Sequence, residues 1–345
     1  MINGCNTMIT QNILPKPADG GTLRLLVAMP ALNEDRTVGD IIRRIPREIP
    51  GISRVDVLVI DDGSTDQTAD KALQSGAQVI KHGSCQGVGA AFHTALAYAL
   101  EMPADILVTI DSDGQFDPAS IPLIVEPIVA SHADFVTASR FKDPALVPDM
   151  PAIKKWGNRA MSRLISRIAG RQFYDVSCGM RCYSREAILR LTITGTFTYT
   201  QEVLLNLSFK RLRIEEVPVP VRGIRKFGKS RIADNLWHYG MRSLGIILRC
   251  YRDYRPMHFF SRLAFACIAP GLLLELFMFG YYIMSGMFSP YKWAGFSGTA
   301  LIVLGLVFLY MGLIGDMLDR HRTYLEEMLY MARKNEYGQK RDPEL

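Results

Sequence analysis

Two uninterrupted apolar runs near the C-terminus, Leu263–Met284 and Ala294–Gly315, limit what this chain can fold into more than any other feature. The second holds no charged residue and the first only Glu275. At about 1.5 Å of rise per residue, helices of this length reach roughly 33 Å, enough to cross the hydrocarbon layer of a bilayer. Core helices of water-soluble domains rarely run so far without a polar break. The expectation is a hydrophilic body tethered to a membrane by a helical hairpin, with chemistry that has one lipid-borne partner.

The flanks set the orientation. Arg242, Arg249, Arg252, Arg255 and Arg262 precede the first run, and Arg320, Arg322, Arg333 and Lys334 follow the second. The connecting segment, Ser285–Trp293, carries only Lys292. Positive charge stays on the cytoplasmic side, which puts both termini and the polar body there, in an integral protein of the cell membrane. Tyr281, Tyr282, Tyr291 and Trp293 crowd the loop end, where an aromatic belt belongs. Glu275 is costly in mid-membrane and reads as a helix-packing contact in a homo-oligomer rather than a catalytic group.

The formal net charge of +6 understates a local imbalance. Between Leu205 and Arg262, thirteen Lys and Arg face four carboxylates, a net +9. Beside a membrane this suits anionic headgroups or phosphorylated substrates. No nucleic-acid motif accompanies it. Six cysteines, with no Cys-x-x-Cys pair and no His spaced for zinc, read as free cytosolic thiols. Residues 1–22 are rich in Asn, Thr, Pro and Gly, lack the apolar core of a signal peptide, and read as a disordered tail.

From Leu23 to Ser139 strand and helix patterns alternate. Leu23–Met29, Val55–Ile60, Gln78–Lys81, Asp105–Ile110 and Asp134–Ala138 are short β-rich runs. Thr37–Ile45, Thr65–Ser75, Gly87–Glu101 and Pro118–Ser131 are helical between them, with Ser64 or Thr65 as a cap for the second. This alternation predicts an α/β fold, a mostly parallel Rossmann-like sheet with helices on both faces. The part from Pro144 to Tyr254 is less regular. Ile153–Ala169 and Ile232–Tyr254 read as basic amphipathic helices, suited either to the membrane surface or to packing on the core.

Ligands of such sheets bind beyond the carboxyl ends of the strands. Three strands end in polar turns: Pro30-Ala31-Leu32-Asn33-Glu34, Asp61-Asp62-Gly63-Ser64-Thr65-Asp66 and Asp111-Ser112-Asp113-Gly114-Gln115. Three acidic turns on one edge need a cation or hydrogen-bond donors to balance them. Asp111-x-Asp113, with Gln115 and Asp117 close by, suits Mg²⁺ or Mn²⁺ held beside substrate phosphates.

In order and spacing these turns resemble the family 2 glycosyltransferases of GT-A fold, most of all the polyprenyl-phosphate glycosyltransferases, which include dolichol-phosphate mannose synthase and the membrane-hairpin bactoprenol glucosyltransferases. The resemblance runs from Leu23 to about Arg333. It implies that Pro30, Leu32, Glu34, Asp61 and Asp62 hold the base and ribose of a nucleotide-sugar. Asp111, Asp113 and Gln115 would bind the metal, with Ser112 in the same donor site. Ser139-Arg140-Phe141 matches a motif that places Arg140 near sugar or phosphates. Asp175–Arg181 resembles an acceptor-side motif. Arg225-Lys226-Phe227-Gly228-Lys229-Ser230-Arg231 matches Arg-x-x-Gly-x-Ser-Lys with Arg231 in the last place, so that Arg225, Ser230 and Arg231 would meet the phosphates. Two positions depart from the pattern. The turn His82–Ala91 lacks the usual Asn and Lys, and Leu32 replaces a tyrosine that would stack on the base.

The resemblance implies a catalytic domain over 23–231, a juxtamembrane amphipathic helix over 232–262, a two-helix transmembrane hairpin over 263–318 and a cytoplasmic helix and tail over 319–345. The expected activity is that of an inverting hexosyltransferase moving sugar from a UDP- or GDP-sugar to polyprenyl phosphate. A lipid phosphate is already ionised and needs no strong base. A lipid hydroxyl acceptor, the alternative, would need a carboxylate base, for which Asp175 is the candidate. A catalytically silent nucleotide-sugar-binding membrane protein is a third possibility.

Overall fold

The computed structural model describes residues 23–102, 104–193, 195, 199–222 and 236–338. The tail expected at 1–22 and the segment Arg225–Arg231, with Ser230, lie outside the described residues.

A seven-stranded sheet forms the body. Its strands are β1 (Leu23–Ala31), β2 (Ile52–Asp61), β3 (Gln78–Lys81), β4 (Ile106–Thr109), β5 (Phe135–Ser139), β6 (Arg181–Ser184) and β7 (Ile214–Pro218). They lie in the order β3-β2-β1-β4-β6-β5-β7. Only β6 runs antiparallel to its neighbours, β4 and β5. Between strands run α1 (Val38–Arg44), α2 (Thr68–Gln74), α3 (Val88–Glu101), α4 (Ile121–Val129), α5 (Ala152–Ala169), α6 (Arg185–Arg190) and α7 (Thr200–Phe209). Strand β1 shows why both faces are covered. Leu25, Val27 and Met29 join a core with α1 and α4, whereas Leu26 and Ala28 join one with α3, α6 and α7. An apolar run buried on both sides is what a parallel strand requires.

The first five strands and four helices fall where the alternation predicts them. The expected caps of α2 do not. Ser64 and Thr65 instead tie their loop to Asn33, and Asp66 accepts from the Thr68 N–H at the helix start. In α5, Ser162 and Ile165 pack on the core while Ile153 and Trp156 stay exposed, so the helix divides its apolar side between body and surroundings. Helix α8 (Leu236–Tyr254) likewise buries Ile247 and Cys250 and exposes Met241 and Leu248.

Two helices, α9 (Pro256–Ser285) and α10 (Lys292–Gly338), are long and apolar enough to cross a membrane. They form the expected hairpin, packed backbone to backbone. A Cβ at Gly271 would stand 2.8 Å from the Gly298 carbonyl oxygen, and one at Gly298 would stand 2.9 Å from that of Gly271. Small residues permit such approach where no water drives helices together. Thr299 donates to Glu275 Oε1 at 2.7 Å. Glu275 thus has a partner within the same hairpin. Phe277, Tyr281 and Tyr291 meet edge to face at the loop end.

Helix α10 runs unbroken past the apolar span and docks on the body. Glu326 accepts from Arg322, Thr192 and the Tyr254 hydroxyl at 3.0, 3.2 and 3.2 Å and pairs with Lys210 at 3.3 Å. Tyr330 donates to Glu186, and Arg333 to the Leu191 carbonyl. Burial depresses the Lys210 ammonium to about 8, with the Glu326 charge opposing that fall. The hairpin and the body are therefore joined by side chains as well as by α8.

Candidate active site

The site lies where the strand order reverses. The chain lays β2 and β3 to one side of β1 and then crosses to β4 on the other. The loops after β1 and β4 must diverge there and open a crevice at the carboxyl edge. Register sets the ends level: Ala31 pairs with Asp61, and Ala28 with Thr109.

Hydrogen bonds knit the three acidic turns together. Ser112 Oγ donates to the Pro30 carbonyl at 2.7 Å, and Thr37 Oγ1 donates to the Ser112 carbonyl at 2.6 Å. Asn33 adopts a positive φ of 55°, and its Oδ1 accepts from the Thr65 N–H at 2.8 Å. The Glu34 N–H donates to Thr68 Oγ1 at 2.8 Å. Asp61 Oδ1 accepts from the Ser64 N–H at 2.9 Å.

Asp62 has a different place from the one expected beside Asp61. Its oxygens accept from the N–H groups of Gln86 and Gly87 at 2.9 and 2.8 Å, meet His82 Nδ1 at 2.8 Å and take the Cys85 thiol at 3.3 Å. Burial resists its charge, but these donors outweigh burial and hold the carboxyl below its usual range. Asp62 thereby shapes the turn into α3. Gly63 allows the two loops to stand back to back, since a Cβ there would lie 2.8 Å from the Ser84 carbonyl carbon.

The β4 turn presents Asp111 and Asp113. Asp113 is buried and its Oδ1 accepts from the Gln115 N–H at 3.0 Å. Gln115 pairs with Arg222 twice: its carbonyl accepts from the Arg222 N–H at 2.9 Å, and its Nε2 donates to the Arg222 carbonyl at 3.2 Å. The donor set fits a hard divalent cation. Two carboxylates share one turn, and Asp111 sits in a cradle that a Cβ on Gly179 would fill. Among the described residues no cluster of three or more His, Cys, Asp or Glu makes a closed cage. Mg²⁺ and Mn²⁺ sites of this kind are completed by water and phosphate oxygens.

Arg140 stands at the end of β5. Its Nε donates to Asp175 Oδ2 at 2.6 Å, and its NH2 group to Asp175 Oδ1 at 2.9 Å and to Ser177 Oγ at 2.8 Å. Asp175 is wholly buried. Its backbone N–H and that of Tyr174 are held by Glu216. Burial alone would raise the Asp175 carboxyl, but the Arg140 charge and the hydrogen bonds from Arg140 and Ser177 leave it below its usual range. Such a carboxylate is a poor base. Its place is to aim Arg140, which also feels the Asp111 charge.

Several organisers have no role of their own assigned by the sequence, although Arg181 closes the acceptor-side motif. Arg181 is wholly buried, donating to the carbonyls of Cys178 and Thr200 at 2.9 and 2.8 Å and lying over the rings of Phe135 and Tyr199. Thr37, Thr109 and Glu216 are equally silent. The one usable signal is the alternation in Glu215-Glu216, which puts the second on the inner face of a strand.

Comparison with known proteins fits this geometry. The family model described as glycosyl transferase family 2 matches residues 26–192. A dolichyl-phosphate hexose transferase of Haloferax volcanii is 31% identical over 198 residues, covering 57% of this chain and 82% of that protein. The chain belongs to glycosyl transferase family 2. Another relative in the comparison, an undecaprenyl-phosphate 4-deoxy-4-formamido-L-arabinose transferase of Pseudomonas fluorescens, is 25% identical over 328 residues, covering 88% of this chain and 89% of that one. Glucosyl-3-phosphoglycerate synthase of Mycobacterium tuberculosis, solved with Mn²⁺, UDP-glucose and phosphoglyceric acid, shares the fold. Its TM-score is 0.53 at 24% identity, covering 66% of this chain and 80% of that chain. The family 2 body is thus a GT-A sheet carrying two long apolar helices at its C-terminal end.

Proposed function

We propose that this chain transfers a hexose, with inversion, from a UDP- or GDP-sugar to polyprenyl phosphate at the cytoplasmic face of a membrane. The observation that carries the reading is the meeting of Asp111, Asp113 and the Asp175-held Arg140 at the switch point of a body fused to a membrane-length hairpin. Relatives named for dolichyl and undecaprenyl phosphate support the acceptor class. The arginine-rich flanks of the hairpin support placing both termini on the cytoplasmic side.

Asp111, Asp113 and Gln115 would hold Mg²⁺ or Mn²⁺, which neutralises charge on the leaving diphosphate. Pro30, Leu32, Glu34 and Asp61 border the nucleoside side of the crevice, with Ser112 fixing the turn between them. Arg140 donates to phosphate or sugar oxygens in a fixed orientation. The lipid phosphate oxygen attacks the anomeric carbon opposite the leaving group. The new carbon–oxygen bond forms as the bond to the diphosphate breaks, and the nucleoside diphosphate departs with that electron pair. Arg225, Ser230 and Arg231 would supply charge and hydrogen bonds to the two phosphates in this reading. No proton must be removed, which suits a site whose buried carboxylate Asp175 is committed to Arg140. A hydroxyl acceptor would leave the site without that base.

Purified protein is incubated with a panel of nucleotide-sugars, Mg²⁺ or Mn²⁺, and polyprenyl phosphate, and the lipid fraction is analysed by mass spectrometry. A lipid heavier by one hexosyl residue supports the proposal. Hydrolysis of donor without any lipid product would contradict it.

A further inference from the structure

Beyond the apolar span, helix α10 has two opposite faces. Arg322, Glu326, Tyr330 and Arg333 face the body. About half a turn away, at 100° per residue, lie Met317, His321, Tyr324, Met328 and Met331. All five are exposed, Tyr324 at 71% and Met328 at 68%. Leu318 and Leu325, exposed as well, widen the stripe. The body already occupies the other face, so nothing among the described residues of this chain covers these side chains.

Their spacing alternates four and three, the heptad seam of a coiled coil. The same alternation runs back into the span through Val303, Val307, Tyr310 and Ile314, each exposed. Inside a bilayer lipid would cover them, but lipid cannot cover Tyr324, Met328 and Met331 beyond the charged residues Asp316, Asp319 and Arg320. A helix that crosses the membrane and continues into the same aqueous phase would cover both stretches at once. A second copy of α10 is such a helix, because every copy is inserted the same way round and brings an identical seam in parallel.

We propose that α10 is a self-association helix: copies of this chain pair in parallel along Met317–Met331, continuous with the contact of their spans. This goes beyond the catalytic reading and rests only on its hairpin part. Pairing does not compete with docking of the body, which uses the opposite face. His321 takes a core position of the seam, where one polar residue fixes register at some cost in stability.

The test is cysteine cross-linking in native membranes after an alkaline wash. Single variants Tyr324→Cys, Met328→Cys and Met331→Cys are compared with Thr323→Cys and Glu336→Cys, which are exposed but off the seam, and with the wild type, whose own cysteines set the background. Dimers are expected at 324, 328 and 331 and not above background at 323 and 336. Met328→Lys should shift the particle mass in lipid nanodiscs toward the monomer without changing the melting temperature of the body. Equal yields at all five positions, no dimer at any, or a monomeric wild type would overturn the proposal. Loss of the protein in the alkaline wash would instead contradict the hairpin reading, so the two failures are separable.

Discussion

The Asp111 carboxylate rests on the bare α-carbon of Gly179. A Cβ there would lie 2.5 Å from Oδ2 and 2.8 Å from Oδ1, and Thr109 Oγ1 holds the Gly179 carbonyl in place at 2.9 Å. Gly179→Ala must therefore push the carboxylate out of its cradle. Mn²⁺ binding to the nucleotide-free protein, followed by electron paramagnetic resonance, should weaken by about tenfold or more. Overpacking of one methyl costs about 1–3 kcal/mol, so the fold should survive. In an Asp111→Asn background the same change should add little, because the displaced group is already lost. Unaltered Mn²⁺ binding in Gly179→Ala would show that the contact is idle.

Activity should require a divalent cation. Asp113→Asn keeps an acceptor for the Gln115 N–H but removes a negative charge from the turn. Transfer should fall by about 10- to 100-fold or more with the melting temperature nearly unchanged. Full turnover by metal-stripped protein in excess chelator would contradict this.

The Arg140–Asp175 pair couples stability to function. Arg140→Ala strands a buried carboxylate and should cost about 3–5 kcal/mol. Replacing both partners, as Arg140→Met with Asp175→Leu, should regain much of that stability but none of the transfer. The pH dependence has a definite sign. The folded carboxyl lies below its usual value of 3.8, so its stabilisation is complete above 3.8 and is lost as pH falls toward the folded value. The stability advantage of the wild type over the double variant should shrink below 3.8. A constant difference through that range would deny the coupling.

Arg225→Ala and Arg231→Ala should impair transfer far more than folding, since their guanidinium groups would neutralise phosphates that only the substrates bring. Kinetics and melting curves on the same preparations separate the two effects. Wild-type rates in both variants would reduce this segment to a solvated surface.

Much of the sheet was legible because apolar periodicity reports burial. The first five strands are short apolar runs, three of them closed by acidic turns, and the hairpin needs only length and composition. Strands β6 and β7 were not legible. Four-residue β6 begins with the buried Arg181, whose cost is met by carbonyls and rings brought from elsewhere in the chain. Strand β7 reads Ile-Glu-Glu-Val-Pro, an edge strand whose proline and charges imitate a loop. Within the site, Asp111 and Asp113 follow β4, and Arg140 follows β5. The roles of Asp62 and Asp175 depend on partners distant in sequence, Gln86–Gly87 and Arg140, which no local pattern records.

The most direct test of the proposed activity compares two acceptors that differ only in the phosphate. Polyprenyl phosphate and free polyprenol are supplied at equal concentration in one detergent with the same nucleotide-sugar, and glycosylated lipid is counted by mass. The net +9 of the segment Leu205–Arg262 draws an anionic headgroup, each nearby Lys or Arg being worth about 1 kcal/mol at a membrane surface. Asp175, committed to Arg140, supplies no base for an alcohol. Product from the phosphate and none from the alcohol is the expected result; comparable rates for the two lipids would contradict it.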